Sequence, residues 1–170
     1  MILLKNNMKI LAIDPGFERV GIAIIEKTNT LKHNLVYSNC FKTSTKIPFH
    51  KRLTLIGEEL EKIIKKYKPE ALSIEKLYFT TNQKTVMGVS EARGVILYTA
   101  SRSGLQVFEY TPPQIKVAVT GYGKSTKGAV MYMVRKLINV KESVVSDDEL
   151  DAIAIGLTVL ACEKFDLFYK

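Results

Sequence analysis

Residues 10–25 read ILAIDPGFERVGIAII, two aliphatic runs on either side of a turn in which a single carboxylate, Asp14, precedes Pro15 and Gly16. The apolar residues at 10–13 and 20–25 are consecutive rather than alternate. Both faces of these strands are therefore predicted to be covered, as in a buried hairpin central to a sheet layered with helices. Asp14 then stands at the end of the sheet, above the core. An Asp ahead of Pro-Gly is also ordinary turn chemistry, so its meaning depends on which other acids reach it.

Outward from the hairpin, residues 1–7 are a short leader with no assigned structure, Met8 being an equally good start, and 165–170 are a tail; one domain spans 8–164. Strands are predicted at 8–14 and 19–26. A third is predicted within 33–42, where Leu35, Val36, Tyr37, Cys40 and Phe41 lie among polar residues, as on an edge with one wet face. A helix over 50–67 places Leu53, Ile56, Leu60, Ile63, Ile64 and Tyr67 at the 3.6-residue period, with Glu58–Lys62 and Glu61–Lys65 pairs outside, and Pro69 ends it. Residues 71–75, ALSIE, form a fourth strand that finishes on Glu75. A helix over 82–102 carries Gly88, Ala92 and Gly94, small residues that admit another backbone and suit a packing or dimer face. A fifth strand, 105–109, leads to Thr111 and Pro112, which open a helix closed by Gly121, and Ser125 is predicted to cap the next. Ser146 and Glu149 form a capping box ahead of the apolar stretch 150–162. This order, without linker or repeat, predicts a three-layer α/β domain with a mixed sheet.

Composition narrows the function. A chain of 170 residues, 46% hydrophobic, buries one substantial core. Its 25 Lys and Arg against 17 Asp and Glu give a net charge of +8, which favours a polyanion, nucleic acid ahead of an anionic membrane surface. The apolar stretch 152–162 is too short to span a bilayer and the N-terminus lacks a signal-peptide cleavage site, so no membrane partner and a cytoplasmic protein are expected. Cys40 and Cys162 have no CxxC or His spacing beside them, which excludes a zinc site and a disulfide scaffold and makes both unreactive thiols. Residues 110–141 include Lys116, Lys124, Lys127, Arg135, Lys136 and Lys141 and no acid, and 27–57 are likewise basic and acid-free. Two such segments read as a surface for a phosphate backbone. GYGKS at 121–125 lacks the spacing and preceding strand of a P-loop and is expected to be a flexible, DNA-facing turn.

Three acidic sites are alike in placement: Asp14 ending the first strand, Glu75 ending the fourth, and the SDDELD run at 146–151 opening the last helix. Asp148 and Asp151 are three apart, Asp147 and Asp151 four apart, so either pair shares a helical face and spacing leaves the choice open. First-turn acids serve the helix dipole at roughly 0.3–1 kcal/mol each. Asp151 lies deeper, beside Ala152 and Ile155, where a carboxylate without a partner is expensive. Two ionised carboxylates about 4 Å apart repel by about 4 kcal/mol at an effective dielectric near 20, so several gathered together call for a cation. Hard oxygen donors without adjacent His or Cys suit Mg²⁺ or Mn²⁺, and a pair of such ions serves phosphodiester cleavage.

IDPG with RVG close behind, IE followed by an aromatic, EARGV, VFEY-x-P and DELDAIAI, in that order over about 8–164, resemble the RuvC family of Holliday junction resolvases. The resemblance implies a ribonuclease H-like fold with a five-stranded mixed sheet and a homodimer. It also implies paired nicks in four-way junction DNA during recombination and repair, dependent on Mg²⁺ with Mn²⁺ substituting and two ions per active site. A branch-migration helicase complex is a further expected partner. On this resemblance Asp14, Glu75, Asp148 and Asp151 fall at the catalytic, metal-binding carboxylates, which selects Asp148 over Asp147. Lys116 and Lys127 match basic residues near the active site, and Lys124 is expected beside them on DNA phosphates. Tyr78 falls where the family often has Phe, placed to stack on an unpaired base. The leader, the doubled Asp147-Asp148 and the Tyr depart from the pattern. Two alternatives are an ATPase of the actin and sugar-kinase kind, which also opens with an Asp-x-Gly hairpin, and a junction-binding module without catalysis.

Overall fold

A computed structural model describes residues 8–28, 33–77, 83–140 and 146–162. The leader, the tail and Tyr78 lie outside these residues. Five strands, β1 (Lys9–Asp14), β2 (Arg19–Glu26), β3 (Asn34–Lys42), β4 (Ala71–Glu75) and β5 (Gln106–Tyr110), form one sheet in the order β3-β2-β1-β4-β5. The first three run antiparallel as a meander, and β4 and β5 lie parallel to β1. Among the described residues the helices are α1 (Phe49–Tyr67), α2 (Gln83–Arg102), α3 (Pro112–Thr120), α4 (Lys127–Leu137) and α5 (Asp147–Cys162).

The consecutive apolar residues of the hairpin are consecutive because each face of the sheet has its own core. Leu11, Ile13, Val20, Ile22, Ile24, Leu72 and Ile74 pack with Ile56, Leu60 and Ile63 of α1 and Ala92, Ile96 and Ala100 of α2. Ile10, Ala12, Ala23, Ile25 and Ala71 pack on the other face with α5, which α3 and α4 cover. Helix α5 is buried on all sides from Ala152 to Leu160, as an apolar helix between two layers must be. Its closeness to the sheet is set by Gly156, where a Cβ would stand 2.6 Å from Ile25 Cδ1 and 2.9 Å from Ala12 Cβ. Ser73, fully buried, bridges the layers by donating to the Ile155 carbonyl at 2.8 Å.

Several local expectations are corrected. Helix α4 is capped by Thr126, which accepts from the Ala129 N–H, rather than by Ser125, whose hydroxyl is 2.7 Å from that of Thr120. On α1, Lys62 pairs with Glu59 and Glu61 reaches Arg102, instead of the i,i+4 pairings. Of the small residues on α2, Gly88 and Ala92 face inward, Gly88 against the Phe17 ring; Gly94 alone opens on free space.

The turn after Asp14 rests on a buried arginine that apolar periodicity could not reveal. Arg52, in the first turn of α1, donates from its NH2 group to the Phe17 carbonyl at 2.9 Å and from Nε to the Thr43 hydroxyl at 2.9 Å, and its guanidinium lies 5.0 Å from the centre of the Phe17 ring. Thr43 also donates to the Phe17 carbonyl, at 2.6 Å. Arg52→Ala removes a hydrogen-bonded charge and the packing of its stem, so urea denaturation should show a loss of about 2–4 kcal/mol with an unchanged slope.

Candidate active site

Pleating decides where the acids point. Along β1 the α5 face takes Ile10 and Ala12, so Asp14, next in that alternation, projects toward α5; along β4 it takes Ala71 and Ser73, and then Glu75. β1 and β4 are in parallel register, with Ile13 opposite Ile74. Asp14 and Glu75 are therefore neighbours one residue further along, at the same end of adjacent strands.

Helix α5 brings the other carboxylates to that end. Its N-terminus lies against β2 at Gly21, where a Cβ would stand 2.0 Å from the Asp148 carbonyl oxygen and 3.1 Å from Asp14 Cβ. Only glycine permits that approach. The capping box is partly formed: the Ser146 hydroxyl accepts from the Glu149 N–H at 3.3 Å and donates to its carboxylate at 2.9 Å, and that carboxylate also accepts from Ser38 at 2.6 Å. Asp14, Glu75 and Asp151 line a cleft of about 220 Å³ with Lys116, Lys127, Pro112, Ile115, Val130, Ala154 and Ile155. Asp148 stands one turn before Asp151, its carboxylate held by the Arg19 guanidinium and accepting from the Cys40 thiol at 3.4 Å. Lys127 Nζ lies 3.1 Å from Asp151 and 3.4 Å from Asp147. Lys124 is exposed on the turn after α3, outside the cleft lining, and that turn is laced by Thr120, whose hydroxyl accepts from the Tyr122 N–H.

The electrostatics are those of acids crowded together with too little positive charge. Burial, then the charges of Asp151, Glu75 and Asp148, push the Asp14 carboxyl up to about 8, against a smaller opposing effect of Lys127. Burial and Asp151 raise Glu75, partly offset by Lys116; burial raises Asp151 in spite of its hydrogen bond to Lys127. Burial alone would lower the Lys127 ammonium, but its hydrogen bonds to Asp151 and Asp147 and their charges raise it overall. Burial likewise pushes the Cys40 thiol up, consistent with an unreactive cysteine. Asp147, the more exposed of the doubled acids, faces Lys127, whereas Asp148 is one of the charges felt by Asp14.

Among the described residues no three Asp, Glu, His or Cys side chains are drawn together tightly enough to hold an ion as they stand. The acids of α5 are instead engaged by the protein's own cations, Asp147 and Asp151 by Lys127 and Asp148 by Arg19. The donor set nevertheless fits a hard divalent cation: the cleft offers carboxylate oxygens without His or Cys, and a buried Asp14 held protonated by its neighbours is the carboxyl that such a cation would ionise. Sequence reasoning missed Arg19 and Cys40, whose places depend on the register of β2 with β3; Gly21 lies opposite Cys40 and Arg19 opposite Lys42.

The family model described as crossover junction endodeoxyribonuclease RuvC matches residues 10–159. Curated relatives of that name include those of Halothermothrix orenii, 42% identical over 88% of this chain and 90% of the relative, and of Thermotoga petrophila, 39% identical over the same shares. Among solved structures, Thermus thermophilus RuvC in complex with Holliday junction substrate superposes with a TM-score of 0.87 at 30% identity, covering 94% of this chain and 96% of that one. The yeast mitochondrial Holliday junction resolvase shares the fold at a TM-score of 0.72 and 14% identity, over 98% of this chain and 83% of that one. The fold is that of the ribonuclease H-like resolvases, as expected.

The raised Asp14 has a consequence for stability. Its unfolded value is near 3.8 and its folded value about 8, so between these pH values the folded chain binds a proton that the unfolded chain has released. The contribution of this group to the stability of the metal-free protein is thus fully present below about pH 4 and is lost as pH rises toward 8, on the order of a few kcal/mol. Denaturation in chelator at about pH 5.5 and pH 8.5 should show the decline, and Asp14→Asn should flatten most of it.

Proposed function

The chain belongs to the RuvC family of crossover junction endodeoxyribonucleases, and from that premise we propose that it cuts Holliday junctions with Asp14, Glu75, Asp148 and Asp151 as its metal-binding carboxylates. It is a nuclease of DNA recombination and repair that resolves Holliday junctions. The ATPase and non-catalytic alternatives are set aside with that membership. The observation that carries the site assignment is the convergence of Asp14, Glu75 and Asp151 on one cleft, with Asp148 a turn away and lysines on its wall.

Mg²⁺ is the proposed cofactor, with two ions per site and Mn²⁺ able to replace it. When bound, these ions supply activation of water and stabilisation of charge on the scissile phosphate. The chain's own residues do the rest. Asp14 and Glu75, on adjacent strands of a packed sheet, hold two carboxylates in a fixed relation. Asp148 and Asp151 bring two more on a helix that Gly21 and Gly156 seat against that sheet. Lys116 and Lys127, on the cleft wall, bind the phosphate backbone at the cut, Lys127 exchanging Asp147 and Asp151 for phosphate oxygens; Lys124, on the adjoining turn, extends the contact. The low polarity of Ile115, Val130 and Ile155 strengthens each of these interactions.

A homodimer supplies the second cut. Symmetric nicks need two clefts related by a two-fold axis, and each chain has one. The surface proposed for it is the outer face of α2, where Met87 and Tyr98 are 64% and 65% exposed and Gly94 is open between them. A branch-migration helicase complex is the proposed source of the junction, and the cytoplasm the proposed compartment; no described helix is long and apolar enough to cross a membrane.

Two outcomes are expected. With a labelled four-way junction and Mg²⁺, Asp14→Asn, Glu75→Gln, Asp148→Asn and Asp151→Asn should each abolish cleavage while a mobility shift retains binding, and Asp147→Asn should keep most activity. A dead Asp147→Asn beside an active Asp148→Asn would reverse the choice between them. In sedimentation at micromolar concentration the protein should run as a dimer, Tyr98→Glu as a monomer that no longer makes paired nicks; a wild-type monomer that still cuts in pairs would exclude the dimer.

A further inference from the structure

Glu75 emerges from the end of β4 beside a backbone group that the sheet cannot satisfy. The Lys76 N–H bonds the Tyr110 carbonyl of β5 at 2.8 Å. In a trans peptide the Glu75 carbonyl points the opposite way, away from β5 and toward the end of β1. There the chain has turned at Pro15, which has no N–H to continue the ladder. The donor comes instead from α2: Arg93 Nε bonds the Glu75 carbonyl at 3.1 Å. The same guanidinium pairs through its NH2 group with the carboxylate of Glu109 on β5. Glu109 faces the α1–α2 side of the sheet, since its neighbours Phe108 and Tyr110 pack on the α5 side. Arg93 thus reaches beneath the end of β4 to β5, and its side chain is only 16% exposed.

From this geometry we infer that Arg93 is a positioning residue for Glu75, fixing the peptide that sets the direction of its carboxylate and tying that peptide to α2. The inference rests on Glu75 acting as a metal ligand. Rotation of the 75–76 peptide would swing the Glu75 Cα and carry its carboxylate away from Asp14 and Asp151. A planar guanidinium satisfies the carbonyl and Glu109 together in a fixed relation; a lysine ammonium, a point charge on a flexible stem, reaches one or the other without fixing the angle between them. Arg93 also stands on the helix whose outer face is the proposed dimer surface. It therefore connects that helix directly to the backbone of the cleft.

The test compares Arg93→Lys with Glu109→Gln in the full chain. Arg93→Lys should slow single-turnover junction cleavage at least about tenfold and weaken Mn²⁺ binding, titrated calorimetrically without DNA, about three- to tenfold. Its junction affinity should stay within about twofold and its melting temperature within about 2 °C. Glu109→Gln, which leaves the carbonyl bond in place, should cleave within about threefold of the wild type. Normal cleavage and Mn²⁺ binding by Arg93→Lys would overturn the inference. So would equal losses in both variants that follow their melting temperatures, because Arg93 would then serve only as half of an ion pair. Glu75→Gln separates the two levels: if it cleaves normally, the ligand assignment of Glu75 fails, whereas an inactive Glu75→Gln beside a normal Arg93→Lys removes only the role of Arg93.

Discussion

The close seating of α5 on the sheet is the constraint from which the rest of the molecule follows. Where a helix meets a sheet, the side chains between them hold the two backbones apart, and glycine lets them approach closely. Here two glycines remove the side chains that would hold the layers apart, Gly156 against Ala12 and Ile25, and Gly21 against the backbone of Asp148. One lies in the helix and one in the sheet, and they act at different points along the contact. Helix α5 is therefore close at both points, and the apolar segment that pays for this proximity, Ala152 to Leu160, directly follows the turn that carries the acids. Packing and chemistry share one element.

Proximity creates an electrostatic problem that the fold answers with its own cations. Asp14 is raised by burial and by the charges of Asp151, Glu75 and Asp148. Lys127 bonds two of the acids on α5, and Arg19 holds Asp148. Away from the acids themselves, arginines fix the backbone that carries them: Arg52 holds the carbonyl of Phe17 in the turn after Asp14, and Arg93 that of Glu75. A guanidinium suits this work because it stays charged when buried and presents several donors in one plane. The carboxylates are thus mounted on backbone that is hydrogen-bonded from outside the strand ladder.

Much of this was legible in the residues. The consecutive aliphatic runs at 10–13 and 20–25 correctly implied strands covered on both faces, and the acids at the ends of β1 and β4 correctly implied a shared edge, because parity and register follow from a two-residue period. The capping box marked the start of α5 for the same local reason. What escaped was whatever depends on which elements meet. Arg52 reads as an exposed charge near a helix start, yet it is buried because the turn at Phe17 lies over α1. Gly88 reads as part of a packing or dimer face without a choice between them, and it makes room for Phe17 within its own chain. Ser125 reads as the cap of α4, yet its hydroxyl is engaged with that of Thr120, and Thr126 caps the helix instead. Asp147 and Asp148 could not be separated by spacing, since both share a face with Asp151; Lys127 on one side and Arg19 on the other divide them in space.

The distribution of charge also bears on how a branched substrate is told from a linear one. Helices α3 and α4, with the turn between them, carry Lys116, Lys124, Lys127, Arg135 and Lys136 and no acid, so the cationic surface adjoins the acidic cleft. Charges separated by more than about 8 Å are largely screened at physiological salt. Lysines on the cleft wall are therefore the ones proposed to act on the phosphate being cut, and the others are proposed to raise affinity for nucleic acid generally. Such attraction is independent of sequence and nearly independent of structure, because duplex and junction present the same phosphates. If two chains pair as proposed, selectivity for a four-way junction comes from geometry, from clefts held at a separation that only a branched molecule can span. The described residues of a single chain form one such acidic cleft. The rigid mounting of Glu75 through Arg93 to α2 matters for this reason: if α2 is where two chains meet, the element that sets the distance between clefts is also the one that orients a carboxylate within each.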